Sequence, residues 1–186
     1  MFLISDPYPA CVSREKSLVK MPWIVIFAYN LNHKPSHMRI EEEIKQSKFN
    51  NEHHKLLLNL LYTGSWLSIK QIQFFKQFDL SPQQYNILRI LRGQHPAPAS
   101  INLLIERMLD KMSNASRLVD KLHAKGFVDR KPRASDKRQV DVVISKKGMK
   151  LLDQIDKEIM AVDGLLSNLS KTEAKSLNEL LDKIRA

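Results

Sequence analysis

Cysteine is nearly absent from this chain. Cys11 stands alone among 186 residues, so no disulfide can form within the chain and no thiolate metal site can be built. A reducing, cytoplasmic compartment fits that usage. Glycine is also scarce, at five residues. Phosphate-cradling loops and nucleophile elbows depend on glycine, and neither motif is present. No Cys–His pairing offers a nucleophile. Nor is there a long apolar run. The longest, Trp23–Tyr29, is far short of the roughly 20 residues that a membrane-spanning helix needs. No small-residue cleavage site follows it, as a signal peptide requires. The expectation is a cytoplasmic protein with no membrane partner and no enzymatic activity.

What the chain does have is positive charge. It carries 30 Lys/Arg against 20 Asp/Glu, a net charge of +10. Between Ser100 and Lys150 lie 13 basic residues against 6 acidic, and the other 135 positions hold 17 against 14. The excess therefore sits mainly in one segment. Such an excess favours an anionic partner, either nucleic acid or a membrane surface. A membrane-surface helix would set its charges opposite large apolar residues. Here much of the charge surrounds a proline-containing loop, which suits double-stranded DNA. The histidines build no metal site. His53 and His54 are adjacent, so they point about 100° apart on a helix. His95 and His123 are isolated, and no carboxylate lies at a ligand spacing. No metal and no cofactor are expected.

Residues 1–37 differ from the rest. They hold four of the eight prolines, the cysteine, and no helical periodicity. They read as sequence upstream of a biological start at Met38 or Met21, with a flexible arm as the alternative. Residues 38–186 read as one domain. Ile40, Ile44 and the leucines at 56, 57, 58, 60 and 61 predict a helix over 40–61. Trp66, Ile69, Ile72 and Phe75 predict a second over 65–75. Ser81-Pro82-Gln83-Gln84 combines a capping box with proline at the first helical position. Tyr85, Leu88 and Leu91 face inward, and Gly93 with Pro96 and Pro98 ends that helix. Ser100 caps a helix from 101 to about 109, and residues 110–112 turn. Ser113 then caps a helix over 114–125, with Ala115, Leu118, Val119 and Leu122 inward. Gly126 fits the left-handed residue that stops it. Residues 127–131 and 140–145 read as two short strands closed by the polar loop 132–139. Ser145 caps a helix over 146–166, and Ser170 with Glu173 opens a last one over 171–185.

The expected fold is mainly α with a small β-hairpin wing. A winged helix-turn-helix spans 65–145, flanked by dimerisation helices at 40–63 and 146–185. The leucine stripes on those flanking helices exceed what a small domain needs to cover itself. Pairing two copies about a two-fold axis would bury them, and C2 is the commonest oligomer. The alternative is a helical layer within one chain.

A helix sized for the major groove, followed by a positive hairpin, is how such a domain addresses DNA. The N-terminal end of that helix meets base edges. This nominates Ser113, Asn114, Ser116 and Arg117, with Lys121 further along the exposed face. Asparagine can pair with adenine and arginine with guanine. Helix amides and serine hydroxyls can bind phosphate. Sequence alone does not divide those roles among the residues. In the loop, Arg133, Lys137 and Arg138 are long cations able to reach a minor groove.

The order and spacing of three pieces resemble the MarR family over about residues 40–185. They are Ser116-Arg117-Leu118-Val119-Asp120-Lys121-Leu122, then Lys125-Gly126-Phe127-Val128, then Asp136-Lys137-Arg138 ahead of Val140–Ser145 and Lys147-Gly148. The resemblance implies a triangular homodimer with two winged heads. It implies a transcriptional regulator, usually a repressor, often released by a small phenolic compound. It also implies that Asp136 orders the wing by holding an arginine. One branch of the family senses organic hydroperoxides through a cysteine near its first long helix, and no cysteine follows Cys11 here. The competing readings are an architectural DNA-binding protein and a winged-helix module that binds protein rather than DNA.

Overall fold

The computed structural model describes residues 39–133 and 140–186. A short helix, α1 (Ile40–Glu43), precedes the long α2 (Glu52–Lys76). The expected helix over 40–61 is thereby corrected. The backbone leaves helical geometry at Lys45, whose φ is 52°. It resumes at Asn51, whose side-chain oxygen accepts from the His54 amide at 2.9 Å. The expected boundary between 61 and 65 is corrected too, because α2 runs through both runs as one helix of 25 residues, about 37 Å long. Gly64 lies at the expected break. An interior glycine weakens a helix by about 1 kcal/mol, and the packing of Phe74 and Phe75 at the far end of α2 outweighs that.

Helix α3 (Pro82–Gln94) opens with the full capping box: the Gln84 amide donates to Ser81 Oγ at 3.2 Å, and the Ser81 amide donates to Gln84 Oε1 at 3.0 Å. Strand β1 (Ala99–Ser100) leads directly into α4 (Ile101–Arg107), capped by Ser100. Helix α4 stops two residues before the expected end, because Met108 is extended and buried in the core. Helix α5 (Ala115–Ala124) follows a turn, then β2 (Val128–Pro132), β3 (Val140–Ile144) and α6 (Lys146–Glu158). The expected single helix over 146–166 is divided. After α6 comes α7 (Met160–Asp163), then a 3-10 turn at Gly164–Leu166, a common way for a helix end to tighten. Helix α8 (Lys171–Ile184) closes the chain with its own capping box between Ser170 and Glu173.

The three strands form an antiparallel sheet in the order β1-β3-β2. Val142 pairs with Ala99 on one side and Arg130 on the other. Strand β1 is only two residues long and carries no alternation that sequence could reveal. The core sits between the helix-turn-helix and this sheet. Ile87, Leu88 and Leu91 of α3, Val119 and Leu122 of α5, Val142 of β3, and Leu152 and Ile155 of α6 are all fully buried. The heptad-like spacing in α3, α5 and α6 therefore reports one shared core.

One glycine is dictated by close approach. A Cβ on Gly148, in the first turn of α6, would lie 2.3 Å from the Phe127 carbonyl oxygen and 2.9 Å from Ile144 Cγ1. The backbone of Phe127 must move for any side chain to fit. Gly148→Ala is expected to destabilise the domain by about 1–3 kcal/mol, the usual range for overpacking. Thermal melting checks this, and an unchanged Tm would refute the contact.

Candidate nucleic-acid interface

Helix α5 is held on its inner side by Ala115, Val119 and Leu122, all buried. Ser116, Arg117, Asp120 and Lys121 are exposed on the other side. The side chains of Ser116, Arg117 and Lys121 have no partner among the described residues. The acid between them is neutralised, since Asp120 is paired with Arg130 of β2. The exposed face is therefore positive. Three further contacts set the helix in place at its C-terminal end. Gly126 takes φ 74°, and the Phe127 amide donates back to the Leu122 carbonyl at 2.9 Å. Lys125 pairs with the Asp79 carboxylate at 2.9 Å, and Lys147 donates to the Lys125 carbonyl at 2.8 Å.

The N-terminal end corrects one expectation. Asn114, not Ser113, is the N-cap: Asn114 Oδ1 accepts from the Arg117 amide at 3.0 Å, so the helix begins at Ala115. Ser113 turns back and donates its hydroxyl to Asp110 Oδ2 at 2.7 Å. Asp110 also accepts from the Met112 amide at 3.0 Å and from Gln83 Nε2 at 3.4 Å. These bonds, the one from Ser113 foremost, hold the Asp110 carboxyl below the usual carboxylate range. It is ionised at neutral pH, and the bracing is lost only as pH falls through that lowered pKa. The same turn is tied to α3, because the Leu109 amide donates to Asn86 Oδ1 at 3.0 Å.

These bonds sort the nominated residues. A serine hydroxyl has one proton, and that of Ser113 is taken by Asp110. Pairing with adenine requires both ends of an asparagine amide, and the oxygen of Asn114 is engaged in the cap. Among the described residues nothing draws on the hydrogen-bonding capacity of Ser116, Arg117 and Lys121. Sequence reading missed Asp110, Gln83 and Asn86. An aspartate followed three residues later by serine is a known turn pattern, and it was the available signal for Asp110.

At the wing, Arg133 is engaged by Asp141 of β3, with Nε and Nη2 both donating to Oδ1 at 2.9 and 2.8 Å. Asp141 was not anticipated. Its role as a wing-bracing acid resembles the one expected of Asp136. Asp136, Lys137 and Arg138 lie outside the described residues. Pro132 pairs with Val140, so the hairpin is closed at its base.

A cavity of about 560 Å³ lies between α2, α3 and the α6–α7 junction. Phe75 and Tyr85 form one wall, stacked with ring centroids 4.3 Å apart. Ile72, Ile159 and Val162 are further lining residues. Arg89, another lining residue, donates to the Tyr85 hydroxyl at 3.0 Å. Leu109 and Asp110 of the turn also line it. Among the described residues no cluster of three or more His, Cys, Asp or Glu could hold a metal ion. No helix among them is long and apolar enough to cross a membrane.

A braced second helix, a closed hairpin beside it and a three-stranded sheet define a winged helix-turn-helix. Residues 78–139 match the family model described as MarR family. The HTH-type transcriptional regulator YkoM of Bacillus subtilis is 27% identical over 140 residues, covering 73% of this chain and 90% of that one. The crystal structure of a MarR transcription factor from Planctomyces limnophilus has 29% identity and a TM-score of 0.58, covering 73% of this chain and 98% of its own. A mutant of E. coli MarR complexed with operator DNA shares the fold, with 24% identity, a TM-score of 0.65, and coverage of 74% and 99%. Over these residues the chain is similar to MarR-family HTH-type transcriptional regulators and shares their winged-helix fold.

Proposed function

We propose that the protein works as a homodimer, with each copy placing α5 in a major groove and the 132–139 loop beside it. The observation that carries this is the exposed face of α5. Ser116, Arg117 and Lys121 have no partner there among the described residues, while Asp120 is neutralised by Arg130. Arg117 is the base-reading residue, suited to guanine. Ser116 and Lys121 meet phosphate, as do Ser113 and Asn114 through what their own bonds leave free. Arg133, Lys137 and Arg138 supply the wing contacts, with Asp136 and Asp141 ordering the loop. Residues 38–186 form the working domain, and the protein acts in the cytoplasm without catalysis.

Dimerisation is supported by what one chain leaves uncovered. No residue of α8 is buried, and Leu177, Leu180 and Ile184 are exposed on it. Leu56, Leu57 and Leu61 of α2 are exposed as well. The regulatory reading is a repressor released by a small phenolic or aromatic acid. The cavity supports it, with an aromatic wall and one arginine suited to a carboxylate. A ligand there would act by shifting the population of head spacings.

Selection of duplex DNA from a random pool by the purified protein tests the whole reading. The expected product is a pseudo-palindrome with half-sites about 10 bp apart. Enrichment of no sequence would favour an architectural binder, and no affinity at low salt a protein-interaction module. Adding candidate aromatic acids to the same assay tests release.

A further inference from the structure

The turn between α4 and α5 carries the most exposed large apolar side chains among the described residues, Leu109 at 88% and Met112 at 94%. Single exposed apolar residues are ordinary on protein surfaces. Two features set Met112 apart. The first is rigidity. Its own amide donates to one Asp110 oxygen and the next side chain, Ser113, donates to the other. The backbone is braced on both sides of a side chain that touches almost nothing. The second is what its neighbours do. Ser113 and Asn114 both direct hydrogen-bonding capacity inward, to the turn and the helix cap. Of the three residues before α5, Met112 is the apolar one, and its side chain stands in solvent.

We propose that Met112 is a specificity-determining residue that packs on the C5-methyl group of a thymine in each half-site. The proposal rests on α5 entering the major groove. There the thymine methyl is the apolar mark that separates T from the other bases. A methionine is unbranched and polarisable, and adapts to such a contact. A protein partner fits the same surface less well. Arg117 and Lys121, exposed on the helix that follows, have no partner among the described residues, and lysine is depleted from the cores of protein interfaces.

The test uses the full-length protein and the half-site it selects from random duplex DNA. Each thymine of that half-site is replaced in turn by deoxyuridine, which lacks only the methyl group. Wild-type binding is expected to weaken about fourfold at one position, the worth of burying a single methyl. Met112→Ala should bind the thymine duplex more weakly and lose discrimination at that position. Met112→Leu should retain it. Melting of Met112→Ala should match wild type, since the side chain supports no core. Equal wild-type binding to every deoxyuridine duplex would overturn the proposal. So would Met112→Ala that still discriminates at the same position. Failure to select any sequence would overturn the groove reading itself, and this contact with it.

Discussion

Leu180→Asp is expected to leave the protein monomeric and to weaken its binding to a two-half-site operator by about a hundred- to ten-thousandfold, the range lost when linked binding modules are separated. Leu180 is 59% exposed in one chain, on a helix with no buried residue. A helix with a leucine stripe and no core of its own gains stability from packing rather than propensity. In a two-fold dimer the same patch is used by both copies, so one substitution places two carboxylates in the interface. Burying an unpaired charge is far more costly than losing a leucine contact. Light scattering coupled to size exclusion reads the mass directly. A dimer that persists at micromolar concentration would remove α8 from the interface. The monomer should still bind a single half-site weakly, because α5 and its braces lie within one chain.

The second large effect is at Arg117. Arg117→Ala should reduce affinity for the selected operator by about 1–3 kcal/mol, or roughly 5- to 150-fold, while leaving random DNA little affected. The side chain is exposed and unpaired among the described residues, so stability should not change. Arg117→Lys should recover only part of the loss, because a lysine ammonium cannot reproduce the two-pronged geometry of guanidinium on guanine. Competition titrations against specific and random duplexes measure both numbers. An equal loss on the two would make Arg117 a phosphate contact and leave the base-reading role to another residue.

Much of the fold was legible in the sequence because its helices announce their starts. Ser81, Ser100, Ser145 and Ser170 each cap as their positions suggested. A serine followed by a helical apolar pattern is a local signal, and local signals survive in a single sequence. The inward face of α5 and the left-handed Gly126 were readable for the same reason. The misses have a common cause. The joining of α2 across Gly64, the early end of α4 at Met108 and the pairing of β1 with β3 are decided by distant packing, and periodicity is blind to it. The site followed the same division. Residue types on the exposed face of α5 could be nominated from spacing alone. That the Ser113 donor is taken depended on Asp110, in a turn held by Gln83 and Asn86 from more than 20 residues upstream. Taking Ser113 for the cap was a shift of one position: Asn114 holds that place, and Ser113 bonds Asp110 instead.

The crowding at Gly148 has a mechanical consequence. At that point the start of α6 touches the Phe127 backbone, Ser145 Oγ donates to the Gly126 carbonyl at 2.7 Å, and Lys147 reaches the Lys125 carbonyl. The end of α5, the root of the wing and the first turn of α6 thus meet in a joint with no slack. A side chain at position 148 would therefore press on the Phe127 backbone, next to the residue that ends α5. What lets the three elements meet so closely is a single missing methyl group, that of Gly148.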